Sequence, residues 1–337
     1  MSNDILIWGA GAIGGTVGAW LKRAGYDVTF VDIDRAHVNR IKDPDAGLHI
    51  SGVENFTVTA PAFLPAELTG SWQRIFLAVK AHHTAEAARQ LEPFLEKEGY
   101  VLSLQNGLCE STIAGVVGEE RTLGAFINFY ADWMGPGEIH YSNRGAAVIG
   151  ELNGAMTPRL TTLHQDLSHF EPDVIQSAAL SSWLWGKLAY GSLLFAQATG
   201  ERGIADCLDR EDIRPALTRL ASEIVQIADA WQIPLKGFNG FDPEAFRREA
   251  SADAVNHTFE QMVAFNRPNS KTHSGIWRDL AIRKRSTEVD GQLGMVVRMA
   301  ADRHVPCPTL QALIVMIHQI ETGERPLSDN NLNELLP

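Results

Sequence analysis

The sequence predicts an α/β domain built on a parallel sheet, followed by an all-α domain. Three observations carry that expectation. Short apolar β-like runs alternate with helix-length amphipathic segments over the first half of the 337 residues, a triple-glycine turn separates the first strand from the first helix, and the β signal fades after about residue 178. Near-continuous apolar strands alternating with helices are what a parallel sheet covered on both faces requires. A length prior of roughly 150 residues per domain also suggests two domains. The cut is placed between 1–177 and 178–337.

In chain order, strands are expected at Ile5–Trp8, Asp27–Asp32, Arg74–Lys80, Val101–Gln105 and Thr122–Phe129. Helices are expected between them at Ile13–Ala24, Thr84–Glu98 and Glu110–Val117. From Gly137 to Glu151 the rhythm changes to strand-like pieces separated by turn residues, GEIHYSN and RGAAVIGE, which suggests antiparallel additions at the sheet edge. Thr157–Ser168 reads as one more helix and Asp173–Gln176 as a last short strand. In the second half, Ser182–Ala198, Asp212–Trp231, Pro243–Glu249, His257–Ala264, Ile276–Arg303 and Thr309–Glu321 have helical periodicity, separated by Pro, Gly and Asn.

Composition excludes several classes. A chain that is 45% hydrophobic and 21% charged is ordinary globular protein rather than a disordered tail or a disulfide scaffold. A formal net charge of −12 suits a phosphate-coated partner poorly, so nucleic acid is not expected. The three cysteines, Cys109, Cys207 and Cys307, are far apart and odd in number, as in a reduced protein with no zinc site. Ile5–Trp8 is too short an apolar run for a signal peptide or a membrane span. The expectation is a soluble cytoplasmic protein that needs no metal.

The first chemical motif is Gly9-Ala10-Gly11-Ala12-Ile13-Gly14. A dinucleotide-binding turn needs glycine three times: for the tight turn, for close approach of the backbone to pyrophosphate, and for helix–strand packing. The helix that follows offers unpaired N–H groups and its positive end to the phosphates. The next strand ends in Asp32, 18 residues beyond Gly14. A carboxylate there accepts the ribose 2′-hydroxyl and repels a 2′-phosphate, which favours NAD(H) over NADP(H). Arg35, close by, is the residue that would serve a 2′-phosphate, and Asp34 reads as a solvated loop acid. The first domain is therefore expected to be of Rossmann type.

Further segments, taken with this turn, resemble the ketopantoate reductase (2-dehydropantoate 2-reductase) family. They are Leu77-Ala-Val-Lys80-Ala, Leu104-Gln-Asn106-Gly107, Trp185-Gly-Lys187-Leu188, Ser286-Thr287-Glu288-Val-Asp290 and Pro306-Cys-Pro308-Thr, and they occur in the family's order over essentially the whole chain. The resemblance implies an NAD(P)H-dependent interconversion of a 2-oxo acid, or a related carbonyl, and its hydroxy form. It implies Lys187 as proton donor and Glu288 as support for the lysine and the cofactor ribose. Lys80 and Asn106 would line the nicotinamide and substrate. The chemistry agrees, because hydride arrival builds negative charge on the carbonyl oxygen, which a positioned cation stabilises and protonates. A small-molecule carbonyl or hydroxy compound is the expected partner, and a homodimer is common for such folds.

The sequence departs from the family in the substrate pocket. Where the family helix carries asparagines four and eight residues after the lysine, this chain has Gly191 and Phe195. Both are expected near the lysine's face. The segment before the Thr-Glu signature reads Lys271-Thr-His273-Ser274-Gly-Ile-Trp277-Arg278-Asp279, in which Ser274 and Trp277 are substrate candidates and His273 and Arg278 are additional polar ones. These changes point away from ketopantoate itself. Two alternatives stand beside the reductase reading: an NAD-linked dehydrogenase oxidising a hydroxy compound, and a non-catalytic dinucleotide sensor, which would need neither Lys187 nor Glu288. Blander readings fit other residues: His82-His83 as a solvent-exposed pair, Cys109 as a small buried residue, and most tryptophans as core.

Overall fold

The structure, a computed structural model, describes residues 4–269 and 271–336. The chain divides into two compact units, Met1–Leu180 and Ser181–Pro337.

The first unit opens with β1 (Asp4–Trp8), α1 (Ala12–Arg23), β2 (Asp27–Val31) and α2 (Arg35–Lys42). It continues through β3 (Leu48–Gly52), β4 (Phe56–Val58), β5 (Ala62–Phe63), β6 (Trp72–Leu77), α3 (Thr84–Leu91), β7 (Leu95–Ser103) and α4 (Glu110–Val117). It ends with β8 (Thr122–Ile127), β9 (Tyr130–Gly135), β10 (Glu138–Asn143), β11 (Ala147–Glu151), α5 (Pro158–Ser168) and β12 (Ile175–Gln176). The main sheet has the order β12-β11-β8-β7-β6-β1-β2-β5. Its neighbours run parallel except β8 and β11. Ile5, Leu6 and Ile7 of β1 have no accessible surface, as a central strand buried on both faces must. The order reverses at β1, which pairs with β2 on one side and β6 on the other, and ligands of open α/β sheets bind at that switch, beyond the strands' carboxyl ends.

The sequence reading does not anticipate α2, β3, β4, β5 or β9, and two further features of this unit bear on its architecture. The helix expected over Thr84–Glu98 stops at Leu91, passes through a single tight turn at Glu92–Phe94, and gives way to β7 at Leu95. Pro93 has no N–H for a helical bond and its ring clashes with the preceding turn, so the helix cannot run through it. The second is a separate four-stranded sheet, β4-β3-β10-β9. Of the two pieces expected at the main sheet's edge, β11 pairs antiparallel with β8, whereas β10 joins β3 in this second sheet. An aromatic cluster joins that sheet to α1: Trp20 meets Phe56, Tyr141 and Phe170 edge-on at ring distances of 4.6, 5.1 and 5.7 Å. The helix that follows the glycine turn is thus braced on its far side.

The helical unit follows from α6 (Leu180–Gln197), with α7 (Ile204–Leu208), α8 (Arg214–Ala230), α9 (Ala252–Asn266), α10 (Gly275–Ala281), α11 (Val289–Asp302) and α12 (Pro308–Glu321). Glu223 of α8 is buried and accepts the first N–H groups of α12, Thr309 at 2.9 Å and Leu310 at 2.8 Å, where a carboxylate also suits the helix dipole. Pro243–Glu249 forms only a tight turn at Pro243–Phe246. The long helix expected over Ile276–Arg303 is two helices, with residues 282–288 between them as a loop. Lys284 adopts a left-handed φ of 50°, and Arg283 and Arg285 both bond the buried carboxylate of Asp279, at 3.0 and 2.9 Å, which folds the chain back on itself.

Among the described residues no helix is long and apolar enough to cross a membrane, and no group of three His, Cys, Asp or Glu residues fits a metal ion. Cys109, Cys207 and Cys307 are free thiols, all buried.

Candidate active site

In the first unit the site is built on the glycine turn after β1. Gly9 has φ 97°, and a Cβ there would come within 2.9 Å of the backbone of Ala78 and Val79 where β6 ends. A Cβ on Gly14 would run into the Gly9 carbonyl and the Ala78 side chain. Both glycines are therefore explained by packing inside the protein. Gly11 is not, since its φ is an ordinary −67° and a Cβ on it would meet nothing within 4 Å. Packing inside the chain therefore does not require a glycine at this position. Gly11 is also the N-cap of α1 and has no side chain to cap it, so the first N–H groups of that helix are offered outward. A pyrophosphate fits this cradle.

Asp32, just past β2, is held against the turn. Its Oδ2 accepts the Ala10 backbone N–H at 2.8 Å and its Oδ1 accepts that of Asp34 at 3.0 Å. A carboxylate has about four acceptor positions, so two are left for ribose hydroxyls. Asp34 caps α2 by accepting the His37 N–H at 3.0 Å, a role more specific than the solvated acid expected of it. Arg35 is paired with Glu67, Nη1 to Oε1 at 3.0 Å, and both side chains are exposed. The Leu64 backbone N–H and then the Arg35 guanidinium hold the Glu67 carboxyl below the usual carboxylate range.

Lys80 and Asn106 are half-buried and follow the carboxyl ends of β6 and β7. Gln105 ties the two segments together, its amide Nε2 donating to the Val79 carbonyl at 2.9 Å and to Thr84 Oγ1 at 2.8 Å. Cys109 donates its thiol to the Asn106 carbonyl at 3.3 Å and is buried. His82 and His83 are exposed, on the tight turn that precedes α3.

In the helical unit, α6 is buried nearly all round. From Ser182 to Phe195 its accessible positions are Trp183, Lys187, Gly191 and Leu194, spaced by four, four and three residues, so they form one stripe. A Cβ on Gly191 would meet nothing within 4 Å, which leaves open space one turn from the lysine. Phe195 is off the stripe and has no accessible surface. Eight residues along an α-helix place a side chain about 80° from the starting direction, whereas seven place it about 20° away. The expectation that Phe195 walls the substrate is thus corrected: Phe195 is core, and Leu194 is the accessible residue on the lysine's side of the helix.

Glu288 is the half-buried N-cap of α11 rather than a residue inside a helix. Thr287 beside it is anchored to α12, its N–H and hydroxyl both donating to Glu321 Oε1, at 2.6 and 2.8 Å. Ser274 is buried and its hydroxyl oxygen accepts the Trp277 N–H at 3.1 Å as the N-cap of α10. Trp277 donates Nε1–H to the Gly200 carbonyl at 3.0 Å and lies against His273, with ring centroids 4.0 Å apart and the planes tilted by 38°. The Ser274 hydroxyl and the Trp277 indole N–H thus serve local structure, while Trp277 as a whole is half-buried. Sequence reasoning missed Gln105, Glu321 and His37. Gln105 stood inside a quoted motif, but no spacing marked the other two.

The chain matches the family model described as ketopantoate reductase PanE/ApbA over residues 5–154, and the model of that family's C-terminal domain over residues 179–321. It is 26% identical over 330 residues to a 2-dehydropantoate 2-reductase of Archaeoglobus fulgidus, covering 95% of this chain and 98% of the relative. It is 23% identical over 322 residues to the uncharacterized oxidoreductase YkpB of Bacillus subtilis, covering 94% and 98%. Among solved structures, the ternary complex of D-mandelate dehydrogenase with NADH and anilino(oxo)acetate superposes with a TM-score of 0.82 at 21% identity, covering 95% of this chain and 99% of that one.

Proposed function

This chain belongs to the ketopantoate reductase family and is an NAD(P)-dependent oxidoreductase acting on CH–OH groups, and from that premise we propose that it interconverts a 2-oxo acid and its 2-hydroxy acid, with Lys187 as proton donor and a substrate larger or more apolar than ketopantoate. The nicotinamide cofactor, when bound, supplies the hydride that the carbonyl carbon takes. The chain's own residues do the rest. The Gly11 cradle and the start of α1 take the pyrophosphate, and Asp32 takes the ribose hydroxyls. Lys80 and Asn106 line the nicotinamide and substrate. The Lys187 ammonium draws charge onto the carbonyl oxygen, gives it a proton as it becomes a hydroxyl, and is reprotonated from solvent. In the oxidative direction the unprotonated amine takes that proton back. Glu288 orients the lysine and holds the ribose.

NAD(H) is favoured over NADP(H) on two grounds. Asp32 repels a 2′-phosphate, and Arg35, the cation nearest to it in sequence, is already paired with Glu67.

The substrate reading is carried by the stripe on α6, where the lysine is flanked by an indole, a glycine and a leucine rather than by amides. A helix face without amides replaces fewer of the bonds that a small polar hydroxy acid makes with water. Open space at Gly191 and apolar surface at Leu194, with the Trp277 ring as a further candidate wall, suit an aromatic or long-chain 2-oxo acid. The test is kcat/KM for ketopantoate against such acids, in wild type and in Gly191→Asn. Aromatic or long-chain acids should win in the wild type, with the variant shifting toward ketopantoate. A wild-type preference for ketopantoate of about tenfold or more, roughly 1.4 kcal/mol at the transition state, would overturn the reading.

A further inference from the structure

His37 lies on α2 and is only 1% exposed. Its Nε2 is 2.8 Å from the Ala10 carbonyl oxygen, and its Nδ1 is 2.8 Å from the Gly137 backbone nitrogen. A carbonyl can only accept and a backbone N–H can only donate. The ring therefore carries its proton on Nε2, gives it to Ala10, and accepts from Gly137 on Nδ1. Gly137 stands in the turn between β9 and β10 with φ 77°, so the imidazole pins the glycine turn to the second sheet.

Ala10 is gripped from both sides, its N–H by Asp32 and its carbonyl by His37. The second grip has a directional consequence. In a trans peptide the N–H points opposite to the C=O, so holding the Ala10 carbonyl toward α2 turns the Gly11 N–H away from it. Gly11 is the residue of the turn whose Cβ position is open. We propose that His37 is a positioning residue for the dinucleotide: it fixes the Ala10–Gly11 peptide so that the Gly11 N–H is presented to a pyrophosphate oxygen. This inference rests on the reading of the turn as a dinucleotide site.

The experiment is a fluorescence titration of NADH against the full-length wild type, His37→Gln and His37→Leu. A glutamine amide has two N–H donors and an oxygen acceptor, and so can reproduce both bonds; leucine fills the space and makes neither. Leucine should raise the Kd for NADH about tenfold, the worth of one well-placed hydrogen bond, and glutamine should restore it to near wild type. Should the leucine protein fail to fold in a thermal melt, His37→Asn replaces it, because its amide is one carbon too short to reach both partners, and the same loss is expected. The proposal is overturned if the leucine or asparagine variant binds NADH as the wild type does, or if glutamine loses as much as they do. A wild type that binds neither NADH nor NADPH gives a different pattern, and it overturns the proposed function itself.

Discussion

Arg35 and Glu67 form an ion pair, Nη1 to Oε1 at 3.0 Å, linking the first residue of α2 to the turn that follows β5. Glu67 is kept ionised there by the Leu64 N–H and by the guanidinium itself. The arginine that follows Asp32 in sequence therefore already has a counter-ion.

The wild type should bind NADH more tightly than NADPH. Glu67→Gln should lower the Kd for NADPH by about two- to fivefold, the range an exposed ion pair supports. Adding Arg35→Ala should erase that gain. Parallel fluorescence titrations of both cofactors measure it, and a wild type that prefers NADPH would contradict the assignment.

Glu321 should support the loop that carries Glu288. Glu321→Leu leaves the buried Thr287 N–H and hydroxyl without their acceptor, a cost of about 1–3 kcal/mol. Glu321→Gln keeps an accepting oxygen and should cost much less. Denaturant melts of the two variants decide it, and equal midpoints would remove Glu321 from this role.

Alkaline pH should destabilise the first unit through Tyr26. Burial first, and then its hydrogen bond to Asp166 at 2.7 Å, push the phenol from 10.0 up to about 12. The folded protein holds this proton above pH 10, where the unfolded chain has released it. The contribution to stability is thus full below pH 10 and is lost as pH rises through 12. The difference in tyrosinate absorbance between wild type and Tyr26→Phe should show late ionisation, and Asp166→Asn should bring it earlier. A Tyr26 that ionises at its ordinary value would contradict the sign.

The sequence was most informative where one residue type has one physical use. Glycine at positions 9 and 14 is required by close backbone approach, and apolar runs such as Ile5–Trp8 suit only a doubly covered strand, so the parallel sheet was legible. The second sheet was not, because β3 and β4 are short and mix polar with apolar residues, and β10 pairs with a strand nearly ninety positions earlier in the chain. Helical periodicity also ran past real breaks. At Pro93 the breaker was visible, whereas in the loop at 282–288 Asp279 gathers Arg283 and Arg285 from four and six residues on, and the first of those spacings fits an unbroken helix equally well. In the site, Lys187 and Gly191 share a face by simple spacing, but the choice of Leu194 over Phe195 turned on a single residue step. His37 shows the limit most plainly, since both of its partners are backbone atoms of distant segments.

If Lys187 supplies the proton, Lys187→Ala removes the donor and leaves the dinucleotide's own contacts in place. The measurement is kcat for the 2-oxo acid that the wild type reduces best, with the Kd for NADH determined on the same protein. A fall in kcat on the order of 10²–10⁴-fold is expected, with NADH affinity near wild type, because the lysine acts on the carbonyl oxygen and not on the dinucleotide. An alanine variant that keeps the wild-type kcat would contradict it.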